Sequence, residues 1–220
     1  MSYWVLSLYL FLNESLRSDL NLAITCASGT SFAITCARGT SNDKNEFRQV
    51  PAVDIDVTTM TATLDYRDFS SRLSSYLLFG SYPTQEMADY LETEGVTLFV
   101  DVTSEKLRPY TPSKARKIKY PIKDRCAPTD TETFAALIDE IVAAIDAGAI
   151  VYVHCLGGHG RSATVAACVY MRVRGASADK SIRAVWHAHQ KRKIMDERWR
   201  VLGAPQMKCQ RDYIDLFEHM

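Results

Sequence analysis

The chain has 220 residues, 47% of them apolar and 24% charged, an ordinary globular composition with material for one sizeable core or two small ones. Its 26 basic residues balance 26 acidic ones, so the overall field disfavours a general nucleic-acid binder without excluding a local basic patch. The most apolar stretch, Tyr3 to Leu12, stops after about ten residues, about half of a bilayer span. No basic residue precedes it and no small-residue cleavage site follows closely, so it reads as a packed strand or helix rather than an anchor or a secretory signal. Six cysteines, at 26, 36, 126, 155, 168 and 209, are too sparse and irregular for a disulfide scaffold. The expectation is a reducing compartment, cytoplasmic or nuclear.

In chain order, residues 1–50 read as an N-terminal extension and 51–220 as the catalytic domain. The extension carries a short tandem duplication, AITCASGTS at 23–31 and AITCARGTS at 33–41. Two copies do not make a solenoid, and the pattern leaves open whether they pair as a hairpin. The turn-rich 41–45 segment, SNDKN, reads as a linker. Beyond Pro51, short apolar runs alternate with helical periods, the signature of an α/β domain with a central, mostly parallel twisted sheet flanked by helices. Strands are expected at 75–79, 96–102, 117–122 and 149–154, and helices at 84–94, 131–147 and 161–174. A further helical stretch over 180–201, holding Trp186 and Trp199, reads as packing plus a charged face.

The turn between the strand at 149–154 and the helix at 161–174 carries the chemistry. It reads His154-Cys155-Leu156-Gly157-Gly158-His159-Gly160-Arg161-Ser162. Three glycines let successive backbone N–H groups turn inward, which makes an anion nest. The helix start beneath adds its free N–H groups and positive dipole end. Arg161 can hold two phosphate oxygens bidentately, and residues 156–161 form the phosphate-binding loop. Cys155, at the loop entrance, is the candidate nucleophile, because a field that holds phosphate also stabilises a thiolate. The Cys168-to-Arg174 segment has the same spacing, but it lies within a helix and reads as core.

At these residues the sequence resembles the cysteine-dependent protein tyrosine phosphatase superfamily, with its His-Cys-x5-Arg-Ser/Thr loop. Within it the chain is similar to the compact dual-specificity phosphatases, especially the cyclin-dependent-kinase-associated phosphatase type with its Gly-Gly-x-Gly-Arg-Ser loop. The resemblance spans roughly Leu77 to Phe217. It implies hydrolysis of phosphomonoesters through a phosphocysteine, with no metal or cofactor, on phosphotyrosine and phosphoserine or phosphothreonine in proteins. Expelling the leaving oxygen needs a proton donor. The segment Tyr120 to Pro128 resembles the family's general-acid loop, and Asp124 lies thirty-one residues before Cys155. Its competitors read otherwise, Asp130 as a helix N-cap and Asp101 as a turn anchor. Ser162 is placed to donate to the departing thiolate, and His154 to orient the loop by hydrogen bonding. Gln206 and Gln210 lie in what looks like the family's glutamine-bearing segment, where one of them would position the attacking water.

Two departures bear on substrate. His159 stands where many members have an apolar residue, and a half-charged imidazole there would favour a substrate with more than one phosphate. Between Lys106 and Arg125 the chain also places eight basic residues against one acid, Asp124. Acidic phosphopeptides, phosphoinositides and the 5′-triphosphate end of RNA would each suit such a field. Lipid and RNA phosphates are therefore the alternatives to a protein substrate, and a non-catalytic phosphate-binding module is the competing class. Cys126, two residues from Asp124, is a candidate to trap an oxidised Cys155 as a disulfide. The short segment between Val102 and Tyr120 points to a shallow pocket.

Overall fold

A computed structural model describes residues 20–26, 32–38 and 64–220. The chain separates into two compact units, Met1–Ala62 and Thr63–Met220. In the first, β1 (Leu20–Cys26) and β2 (Phe32–Arg38) pair antiparallel with Ile24 opposite Ile34, so the two Ala-Ile-Thr repeats lie against each other as a hairpin. The apolar segment 3–12, the linker 41–45 and the boundary expected near residue 50 lie outside the described residues.

The second unit opens with α1 (Tyr66–Phe69), β3 (Ser70–Arg72), β4 (Leu77–Gly80) and α2 (Gln85–Thr93). It continues with β5 (Val96–Asp101), β6 (Arg116–Lys119), α3 (Thr131–Asp146), β7 (Ile150–His154) and α4 (Arg161–Arg174). It closes with α5 (Ala178–Gln190), α6 (Glu197–Leu202) and α7 (Lys208–Phe217). The sheet order is β3-β4-β7-β5-β6, parallel except for the edge strand β3. A central, mostly parallel sheet with helices on both faces is what the alternating pattern implied.

Side-chain alternation sorts the strands between two cores. Leu77, Phe79, Leu98, Val100, Val151 and Val153 face α3, α4, α5 and α7, while Leu78, Phe99 and Tyr152 face α1 and α2. Val96 departs from its strand's parity and joins the second core because a bulge between Val96 and Leu98 shifts the register. Helix α4 is buried along most of its length, from Arg161 through Val169, which is why its sequence lacks a polar face. Cys168 is fully buried in it, as a core position. Asp130 caps α3 by accepting from the Thr133 N–H at 3.0 Å.

Two expected elements are corrected. The strand over 117–122 ends at Lys119, because the chain turns away at Tyr120-Pro121 with only the Tyr120 and Ile122 N–H groups bonded back to Asp101 and Val102. The helical stretch over 180–201 breaks between Gln190 and Glu197, where Asp196 caps a new helix by accepting from Arg198 N–H at 2.8 Å.

The carboxyl ends of β4, β5 and β7 coincide, with Gly80 and Asp101 both in register with His154. The loops leaving those ends converge on one side of the sheet, the usual ligand face of a parallel α/β sheet. Phe134 packs against Tyr120, Tyr213 and Phe217 in the larger core. Phe134→Ala is expected to cost about 3–5 kcal/mol, read as a lower urea midpoint at unchanged m-value.

Candidate active site

Residues 155–160 form a tight loop between β7 and α4. Cys155, 3% exposed, has its sulfur 3.3 Å from the Gly158 backbone N–H and 3.3 Å from the Ser162 hydroxyl. Gly158 adopts φ 76°, and a Cβ there would lie 2.3 Å from the backbone carbon of Gly80. Only glycine permits that approach of the loop to the end of β4. On the outer side, Arg192 donates to the carbonyls of Gly157 at 3.0 Å and Gly158 at 3.1 Å. In a trans peptide the N–H points opposite the carbonyl. Turning those two carbonyls toward Arg192 therefore turns the Gly158 and His159 N–H groups toward the loop interior, and the Gly158 N–H on Cys155 shows the result.

Arg161 opens α4 with its guanidinium almost fully buried. It donates from Nη1 and Nη2 to the two oxygens of Glu105, at 2.8 and 2.9 Å, and from Nη1 to the Ile122 carbonyl at 3.1 Å. Nη2 also pairs with Asp124 at 3.0 Å. The guanidinium beside Glu105 holds that carboxyl below its ordinary range. Asp124 sits at the pocket mouth, its side chain 61% exposed. Glu105 lies fifty-six residues from Arg161 in a loop without a motif, and nothing in the sequence signals the pair.

His154 ends β7 fully buried and is bonded through Nε2 to the Tyr110 hydroxyl at 2.5 Å. Burial, and after it Asp101, pushes the Tyr110 phenol pKa up, so Tyr110 keeps its proton and donates. That leaves the imidazole proton on Nδ1, 3.9 Å from Asp101. Asp101 anchors the turn after β5, accepting from Thr103 N–H at 2.9 Å, Thr103 Oγ1 at 2.6 Å and Lys119 Nζ at 2.9 Å.

The half-charged state expected of His159 is overturned. Its pKa is lowered to about 4, first by burial and then by the Arg192 charge. Nδ1 contacts His189 Nε2 at 2.8 Å, and the ring stacks on Trp199 at 4.9 Å between centroids. It is a neutral, wedged part of the loop. Trp199, read from the sequence as packing, lines the pocket, because the break before α6 brings it over the loop.

The pocket, about 320 Å³, is lined by the loop together with Asp124, Arg125, Trp199, Gln206 and Gln210. The two glutamines differ. Gln210 is fully buried, accepting from Met207 N–H at 3.1 Å and donating to the Cys126 carbonyl at 3.2 Å. Its amide would meet a Cβ on Gly160 at 2.8 Å, so it packs the loop in place. Gln206 is half-buried, its backbone N–H tied to the His159 carbonyl at 3.2 Å. Cys126 is a half-buried free thiol outside the pocket lining.

The basic segment is only partly available. Arg116 pairs with Glu140 at 3.1 Å, Lys119 with Asp101, and Lys117 sits 3.6 Å over the Tyr110 ring.

Burial lowers the pKa of His154 to about 3 and of His189 to about 3, alongside His159 at about 4, against an ordinary 6.5. The folded state keeps all three neutral while the unfolded chain takes up protons below about pH 6.5. Stability is therefore complete above about pH 7 and is lost as pH falls from 6.5 toward 4, at up to about 1.4 kcal/mol per pH unit for each histidine. Urea midpoints at pH 7.5, 6 and 5 should fall in that order, and equal midpoints would show that the imidazoles titrate normally.

Comparison with known proteins places this geometry. Residues 77–203 match the family described as dual specificity phosphatase, catalytic domain. The chain is 36% identical over 129 residues to a protein named for tyrosine phosphatase activity in Invertebrate iridescent virus 3, covering 56% of this chain and 54% of that one. It spans about half the length of the viral relatives it matches. Among solved structures, the active form of Tk-PTP aligns with a TM-score of 0.58 and 21% identity over 68% of this chain and 96% of its own. PTPMT1 in complex with PI(5)P aligns with a TM-score of 0.56 and 19% identity over 69% and 96%. With the family match over residues 77–203 spanning the four parallel strands, the loop and Arg161, the chain belongs to the dual specificity phosphatase catalytic-domain family.

Proposed function

We propose that this protein hydrolyses phosphomonoesters in phosphorylated proteins, at phosphotyrosine and at phosphoserine or phosphothreonine, through a phosphocysteine. The observation that carries this reading is one pocket holding a nearly buried thiol, hydrogen-bonded by a loop N–H and a serine hydroxyl, beside an arginine paired with an aspartate.

The substrate phosphate enters the loop and takes the Arg161 Nη2 contact otherwise made by Asp124. Cys155 attacks phosphorus as the thiolate while the P–O bond to the leaving group breaks, and protonated Asp124 delivers its proton to the departing oxygen. Water then attacks the phosphocysteine, Asp124 takes its proton, and the sulfur leaves with its electron pair. The Ser162 hydroxyl donates to that sulfur, and Arg161 with the loop N–H groups holds the equatorial oxygens. Gln206, half-buried in the lining with its amide held only by a long contact to Met207 Sδ at 3.8 Å, positions the water in preference to Gln210. His154 and Arg192 act through the backbone by setting the loop's shape. Such a nucleophile needs a reduced thiol, which supports a reducing compartment, cytoplasmic or nuclear.

A phosphoinositide substrate is the second reading, favoured by the likeness in fold to a protein solved with PI(5)P. The description of the matched family favours the protein substrate.

Hydrolysis of para-nitrophenyl phosphate in EDTA with reductant tests the chemistry. Turnover is expected to persist in wild type and Cys168→Ser, to vanish in Cys155→Ser and to fall by about 10²-fold in Asp124→Ala. Turnover retained by Cys155→Ser would refute the phosphocysteine route.

A further inference from the structure

Arg125 is the only non-glycine residue among those described with a positive φ, at 61°. It occupies the third position of a turn closed by the Cys126 N–H on the Lys123 carbonyl at 3.1 Å. Glycine or asparagine takes that left-handed position with little strain, and arginine does not. Helix α7 holds it there. Cys209 Sγ donates to the Arg125 carbonyl at 3.4 Å, and Gln210 Nε2 binds the next carbonyl, Cys126, at 3.2 Å. Strain kept in place by its surroundings is a mark of functional positions.

The side chain gains no local bond from that conformation. Arg125 is exposed, lines the pocket beside Asp124, and makes no side-chain hydrogen bond or ion pair among the described residues. Three other basic residues of the segment are engaged elsewhere, Arg116 with Glu140, Lys119 with Asp101 and Lys117 with the Tyr110 ring. Arg161 is held by Glu105 and Ile122. Of the eight basic residues between 106 and 125, Arg125 is the one that lines the pocket. The lining also includes apolar surface, Trp199 and the 48%-exposed Leu156. An arginine in the lining without a side-chain partner among the described residues, set beside an apolar wall, suits an aryl phosphate flanked by an anionic group better than a polyhydroxylated ring.

We propose that Arg125 is a specificity-determining residue that binds an acidic side chain adjacent to phosphotyrosine in the substrate. This rests on the phosphatase reading of the pocket and narrows it to phosphopeptides with a flanking carboxylate.

The test uses two phosphotyrosyl peptides that differ only in aspartate or alanine on either side of the phosphotyrosine, with a soluble short-chain phosphoinositide as third substrate. Wild type is expected to favour the aspartate peptide by about fivefold in kcat/KM, mainly through KM, and less so at high salt. R125G and R125N, both tolerant of the left-handed backbone, should bring that ratio below about twofold while melting no lower than wild type. A ratio retained in both variants, or absent from wild type, would overturn the proposal. So would an Arg125 dependence confined to the phosphoinositide. Binding of the same peptides to Cys155→Ser protein, with and without R125G, gives the ratio independently of turnover. Failure of wild type to turn over any substrate would therefore defeat the phosphatase reading while the binding ratio still decides the role of Arg125.

Discussion

The outer side of the active loop is held by the buried guanidinium of Arg192. Arg192 binds two successive glycine carbonyls from beneath, and peptide planarity converts that grip into inward-facing N–H groups. Among the described residues no carboxylate pairs with Arg192, and burial pushes its pKa down, with Tyr152 and Cys155 acting against the shift. A buried cation without a local acid is costly on its own. It is compensated by the two carbonyl dipoles that Arg192 binds.

Around that loop the remaining groups are held by reciprocal constraint. Gly158 must be small for the loop to approach the end of β4, and Gly80 to leave room for the Tyr152 hydroxyl and the Phe69 carbonyl. Gln210 fills the space beside Gly160 and ties the acid-bearing segment to α7 through the Cys126 carbonyl. His189 and Trp199 wedge His159. Glu105 and the Ile122 carbonyl hold Arg161 so that its position owes little to Asp124, which stays exposed. Arg161 and Ser162 belong to a buried helix start and Asp124 to an exposed loop.

Much of this was legible in the residues. The apolar runs at 96–102 and 149–154 are strands because their side chains are buried on both faces. The α3 period and its Asp130 cap are local. The Cys155-to-Arg161 loop stands out because strand, glycines and helix start are contiguous. Its decoy at Cys168 fails on the same local grounds. Glu105, Tyr110, Arg192 and Trp199 were not legible, since each acts through a partner distant in sequence and belongs to no periodic pattern. The neutral state of His159 was hidden for a related reason, because its charge depends on burial and on the nearby Arg192.

The sequence by itself determined the architecture and the glycine-rich loop between a strand and a helix start, because hydrophobic period, glycine content and helix start are properties of contiguous chain. Only the tertiary structure decided which carboxylate holds Arg161, which glutamine is only half-buried in the pocket lining, which cation reaches the pocket and whether His159 carries charge. Those outcomes depend on distance and desolvation between segments that meet only when the sheet has formed. The coupling of two charged or polar groups in a folded protein is set by the few ångströms and the local dielectric between them, and neither is encoded in spacing along the chain.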